Sequence, residues 1–175
     1  MHLFLNQIAI GLFGVVLALA AGMAENDGLK IGSSIFAVIF FLFLQFASAW
    51  RVGSEDRLSV DLGKRKKDLF VPIKMWVLAN SVNFLLALFI SLGLWFPSVG
   101  FCSFLGGVAS PIKLIIEGMY TGLLAINVGG HPLNTIWVMH FLTPLPSLLA
   151  IVAAYLCGLN NINFGGLFSQ SSASK

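Results

Sequence analysis

Apolar residues run along this chain in long unbroken blocks rather than alternating at the two-residue period of a half-buried strand. The stretches 1–24, 31–50, 75–112 and 118–174 contain no Asp, Glu, Lys or Arg. About 20 apolar residues at about 1.5 Å rise match a hydrocarbon core of about 30 Å, so each block is long enough to cross a bilayer. The pattern predicts an all-α, polytopic membrane helix bundle with spans at about 3–24, 31–50, 70–95 and 133–158. Glu25-Asn26-Asp27-Gly28 is a short turn joining the first two as antiparallel neighbours, and Phe96-Pro97 stops the third. After the last span come Asn160-Asn161-Ile162-Asn163 and a Gly/Ser-rich end, so residues 1–159 read as one helical domain and 160–175 as a polar tail.

Residues 98–130 fit less simply. They are apolar on average but broken by Gly100, Gly106, Gly107, Pro111, Gly118, Gly122, Gly129 and Gly130, with Lys113 and Glu117 near the middle. Ser110-Pro111 offers a hydroxyl cap and a first-turn proline, and Gly129-Gly130 a stop. The helix they bound is about 24 Å long, short for a perpendicular crossing. Lys113, Glu117 and Thr121 share one face of it. Such a segment is expected as a re-entrant or interfacial element, giving four spans with both ends inside. The alternative is a broken fifth span with the C-terminus outside.

Composition supports the membrane reading and narrows the function. The chain is 58% hydrophobic and 10% charged, against about a quarter charged in soluble proteins. This excludes a large soluble domain or a nucleic-acid-binding surface. The pI near 9.1 and net charge of +3 arise between Arg51 and Lys74, where seven Lys/Arg face four Asp/Glu. By the positive-inside tendency this loop, 51–68, is cytoplasmic and so is the N-terminus, in a cell (plasma or inner) membrane. Met1-His2 brings no basic n-region, so the first block is expected as a retained helix. Trp50 and Trp76 flank the charged loop, Trp95 closes the third span and Trp137 opens the last, as expected of residues that favour the two interfaces.

In lipid, helices associate through small residues at three- and four-residue spacing. Gly11, Gly14, Ala18 and Gly22 form such a stripe on the first helix, Ala87 and Ser91 on the third, and Ala150 and Ala154 on the last. Polar groups at membrane depth must find partners. The candidates for an intramembrane site are Asn80, Asn83, Lys113, Glu117, His140, Thr143 and Ser147. The sharpest of these surround Pro144 and Pro146, which free the carbonyls of His140 and Leu142. Free carbonyls beside a histidine and hydroxyls can coordinate an ion or a polar head group. The plainer expectation is that the prolines bend the helix, the asparagines bond to neighbouring helices and Lys113–Glu117 is an ion pair or a solvated face.

No metal or cofactor is expected. Cys102 and Cys157 lack metal or redox spacing, and His131 and His140 are about 180° apart on a helix and cannot share a haem. The chain has no HExxH, P-loop or paired membrane carboxylates, so no catalytic residue is assigned and an enzyme is not expected. In size and hydrophobicity the chain is similar to the substrate-binding membrane subunits of bacterial vitamin transporters, and Ala20-xxx-Ala24 resembles their coupling motif. Those subunits have six spans against four or five here; the likeness is one of composition, and no residue role is carried over.

Three functions are compatible with these residues. The first is a non-catalytic subunit or accessory protein of a membrane transport or export assembly. Its partners would be the lipid bilayer and other membrane subunits or a second copy, held by the small-residue faces. The second is a small transporter or substrate-binding membrane subunit. The third is an outer-face lipid-modifying enzyme using Glu117 and His131.

Overall fold

The computed structural model describes residues 2–23, 27–64 and 66–162. They form an all-α bundle with four helices long and apolar enough to cross a membrane and one sharply bent pair between the third and the last. Helix α1 (His2–Met23) and helix α3 (Val71–Trp95) fall where hydropathy puts them. Of the expected Glu25–Gly28 turn, Asp27 and Gly28 already belong to the second helix, while residues 24–26, Arg65 and the tail beyond Ile162 lie outside the described residues.

Helix α2 (Asp27–Asp61) is longer than expected: it continues for 11 residues past Trp50, through most of the segment read as a polar loop. Its 35 residues are about 52 Å long, well beyond one hydrocarbon thickness. Charge marks where the helix leaves the apolar layer, not where it stops. Opposite charges one turn apart support the extension, with Arg51 Nε 3.0 Å from Glu55 and Arg57 Nε 3.4 Å from Asp61. The end is a Schellman turn: Gly63 takes φ +67°, its N–H donates to the Val60 carbonyl, and the Lys64 N–H donates to that of Ser59.

The last span is shorter than the predicted 133–158. A two-stranded hairpin, β1 (Asn127–Val128) with β2 (His131–Pro132), and a 3-10 turn, Leu133–Thr135, precede it. Gly129 and Gly130, expected as a helix stop, instead make the hairpin turn, both at positive φ. The span is α6 (Met139–Leu142) followed by α7 (Leu145–Leu159), interrupted at Thr143-Pro144. Its C-terminal half packs on the charged extension of α2: Gly158 lies against the Trp50 carbonyl and Ser54, and Tyr155 Oη donates to Asp56 at 2.9 Å. The chain therefore reaches residue 162 at the charged end of the bundle, where Ile162 accepts a bond from Trp50 Nε1.

Helix α4 (Gly100–Ile116) starts well before Ser110-Pro111. Pro111 is inside it, and the Ser110 hydroxyl donates back to the Gly106 carbonyl instead of capping. The helix leaves the far end, opposite the charges, and descends antiparallel to α3, the two backbones meeting at Gly93 and Gly106. At Glu117 the axis turns by 87° into a 3-10 turn, Gly118–Tyr120, and α5 (Thr121–Leu124). The bend is seated on α1. A Cβ on Gly11 or Gly14 would collide with backbone atoms of Ile115, Ile116 or Met119, and one on Gly118 with the Gly11 carbonyl. The returning limb ends against α2 near its start, where the Gly122 N–H donates to Ser34 Oγ at 2.8 Å. Residues 100–124 thus enter and leave at the same end of the bundle, as a re-entrant element.

The packing stripes are used inside the chain. Gly11 and Gly14 hold the re-entrant bend, Ala87, Ser91 and Ala154 are fully buried, and Ala18 and Ala150 are half-buried. Gly22 lies outside the residues whose surroundings are described.

Candidate binding site

The proline at 144 has the effect its chemistry requires. Without an N–H it leaves the His140 carbonyl unclaimed by the helix, and that oxygen accepts from Lys113 Nζ at 3.2 Å. Lys113 reaches it from α4, where the four-residue spacing also puts Nζ 2.9 Å from Glu117 Oε2. The two side chains are 5% and 3% exposed, so the pair is buried and not a solvated face. The Thr143 hydroxyl donates to the same Glu117 oxygen at 2.6 Å. With the His140 carbonyl 3.3 Å away, its single proton goes to the nearer, charged acceptor. The re-entrant helix and the break in the last span are therefore joined by two hydrogen bonds, one at each end of a buried ion pair.

The His140 ring ties the break to the 3-10 turn that precedes it. Its Nε2 is 2.9 Å from the Asn134 carbonyl; a carbonyl can only accept, so Nε2 carries the ring proton. In the neutral ring Nδ1 is then an acceptor, and no protein group meets it. Glu117 Oε1, Tyr120 Oη and Thr121 Oγ1 are likewise buried without a partner. Such atoms are uncommon in native structures and concentrate where a protein does something other than fold.

Glu117, Thr121 and His140 line a cavity of about 400 Å³ at the far end, and Tyr120 lies outside its lining. Lys113, Glu117, Thr121, Asn134 and His140 supply polar surface, and Ile90, Leu94, Pro111, Leu114 and Leu124 the apolar walls. A small apolar chamber with a few convergent polar groups is the usual form of a small-molecule site.

Of the seven residues singled out from sequence, Lys113, Glu117 and His140 line this cavity, and Thr143 is bonded to its wall. Asn80, Asn83 and Ser147 do not line it. They belong to a packing network closer to the charged end, organised by Trp76. This indole is buried among the helices, and its N–H lies 3.1 Å from the Pro144 carbonyl and 3.0 Å from Ser147 Oγ. Asn80 donates to the Trp76 carbonyl, and Asn83 to Asn80 Oδ1 at 2.9 Å. Tyr120, Thr121 and Asn134 were missed. Thr121 had the right face, but only the 87° bend brings it and Tyr120 beside Glu117. Asn134 matters through its backbone oxygen, which side-chain identity does not announce.

His131 stands exposed on the hairpin, outside the cavity lining, and is not brought to Glu117. Among the described residues no three His, Cys, Asp or Glu side chains come together as metal ligands. No protein family, no curated protein and no solved structure matches this chain.

Proposed function

We propose that this chain is a multi-pass cell-membrane protein that binds a small solute in the far-end cavity, as a small transporter or a substrate-binding membrane subunit. The observation that carries the reading is the buried Lys113–Glu117 pair in the cavity wall, bonded to His140 and Thr143 where two broken helices meet. Burying an ion pair is a poor way to gain stability, because desolvation offsets most of the attraction. Ionisable groups inside a membrane segment more often mark a pathway or a binding site. With the basic loop on the cytoplasmic side by the positive-inside tendency, the cavity faces outward and the solute is captured from outside the cell.

A purely accessory role, held to partners by small-residue faces, has less support. Gly11, Gly14 and Ala154 are covered by the chain's own helices and are not free to meet another subunit. The test is native mass spectrometry of the full chain extracted in mild detergent, beside Leu94→Trp. Leu94 lines the cavity yet is 44% exposed, so the larger ring fills the chamber without overfilling a core. A small molecule released from the wild type and absent from the folded variant supports the reading. Identical spectra, or no bound molecule in either, would sink it.

A further inference from the structure

The cavity's hydrogen-bonding inventory specifies the kind of molecule it takes. Its lining includes one cation and one anion, Lys113 and Glu117, and these already neutralise each other at 2.9 Å. An anionic ligand would confront Glu117, and a cationic one the Lys113 ammonium, while losing its own hydration shell. His140 adds no positive charge in the tautomer its geometry sets, and a second ring proton would sit beside the ammonium that bonds to this residue's own carbonyl.

The polar atoms left over are not a balanced set. Glu117 Oε1 is an acceptor, and so is His140 Nδ1 once Nε2 has donated to Asn134. Thr121 Oγ1 can accept or donate. No lining residue offers a buried N–H or O–H to both acceptors, so the complement must come from the occupant. Ser110 and Thr135 also line it, but their hydroxyls donate to the Gly106 and Pro132 carbonyls, the exposed Asn134 amide meets neither acceptor, and the other walls are aliphatic or proline.

We propose that the ligand is a neutral, mainly apolar small molecule that donates at least two hydrogen bonds, one to the Glu117 carboxylate and one to His140 Nδ1. This rests on the binding function proposed above and gives it a substrate class. The unpartnered oxygens and nitrogen are out of solvent's reach, so an entering ligand must part the wall around them while Glu117 Oε2 keeps Lys113 and His140 Nε2 keeps Asn134. Discrimination comes from what a wrong ligand leaves unmade: an ether of the same shape buries the two acceptors for good, and that is what a hydrogen-bonding site rejects.

Four probes sharing one ring test the assignment by calorimetric titration of the full chain in detergent micelles. 4-Hydroxybenzyl alcohol is neutral with two donors, 4-methoxybenzyl methyl ether is neutral with none, 4-hydroxybenzylamine is cationic and 4-hydroxybenzoate is anionic. The alcohol is expected to bind about tenfold or more tightly than each of the others. In His140→Phe its advantage over the ether should shrink by about threefold or more. Thr121→Val removes a lining hydroxyl bonded to no protein group and assigned no ligand bond, so it should leave that advantage intact; the ranking of the four probes on the wild type decides the assignment even if the histidine variant does not fold. Equal or tighter binding of either charged probe, or of the ether, overturns the ligand class. If Leu94→Trp abolishes that binding, the cavity reading survives. Binding of no probe above the Leu94→Trp background overturns the ligand class, and the mass-spectrometric comparison then decides the cavity reading separately.

Discussion

Breaking the buried ion pair one partner at a time should be far more damaging than removing both. At 2.9 Å between Lys113 Nζ and Glu117 Oε2, an effective dielectric of about 20 gives an attraction of about 6 kcal/mol. Taking each ion out of water costs several kcal/mol, so the intact pair comes close to break-even. Lys113→Met leaves Glu117 buried with only the Thr143 hydroxyl, and Glu117→Met leaves Lys113 with only the His140 carbonyl. Each single change is expected to cost about 3–5 kcal/mol. In the double variant no charge is stranded, and the Thr143 hydroxyl can turn to the His140 carbonyl, 3.3 Å away in the present arrangement. That variant should lie within about 1 kcal/mol of the wild type, a coupling of several kcal/mol between the sites. Equilibrium unfolding in mixed SDS and non-ionic micelles, followed by circular dichroism, measures all four corners of the cycle. A double variant as unstable as the sum of the two singles, or singles costing less than about 1 kcal/mol each, would refute the argument that this pair is enclosed and self-compensating.

Gly14→Leu should destabilise the fold by about 1–3 kcal/mol in the same assay, because the added atoms meet the Met119 backbone; Gly107→Ala, whose Cβ meets nothing within 4 Å, should not. Trp76→Phe keeps the ring but loses the bonds to Pro144 and Ser147, at a cost of about 0.5–2 kcal/mol. In Gly130→Val a branched side chain is forced to φ +86°, and a loss of about 1–2 kcal/mol is expected; an unfolding midpoint equal to the wild type's would show that the hairpin turn is not strained. A reporter placed after Ile162 should fall on the same side of the membrane as one in the 62–70 loop, since α7 ends on the charged extension of α2. Opposite sides would turn residues 100–124 into a fifth span.

The spans were legible because lipid leaves the backbone one local solution. About 20 uncharged apolar residues in a row must satisfy their own N–H and C=O groups, and a helix does that without reference to anything else. Helices α1 and α3 accordingly match their hydropathy blocks. The charges of the 51–61 extension of α2 suggest a loop by composition, but at four-residue spacing they support a helix, and Tyr155 and Gly158 pack along it. Gly129-Gly130 shows the limit of local punctuation: the same pair ends a helix or turns a hairpin, and the choice depends on what Asn127 and Val128 pair with.

The binding site divides along the same line. Membrane location, the Lys113–Glu117 spacing and the carbonyl freed by Pro144 follow from covalent structure and helix period, which act within a few residues. That Lys113 finds this very carbonyl, 27 positions away, and that Ser147 meets the Trp76 indole follow from how α3, α4 and the last span cross, whereas Asn80 and Asn83 bond along their own helix and not to neighbouring helices as expected. Those crossings depend on backbone approach at Gly11, Gly14 and Gly118 and on an 87° turn at Glu117. They are agreements between distant surfaces, and no periodicity along one helix contains them.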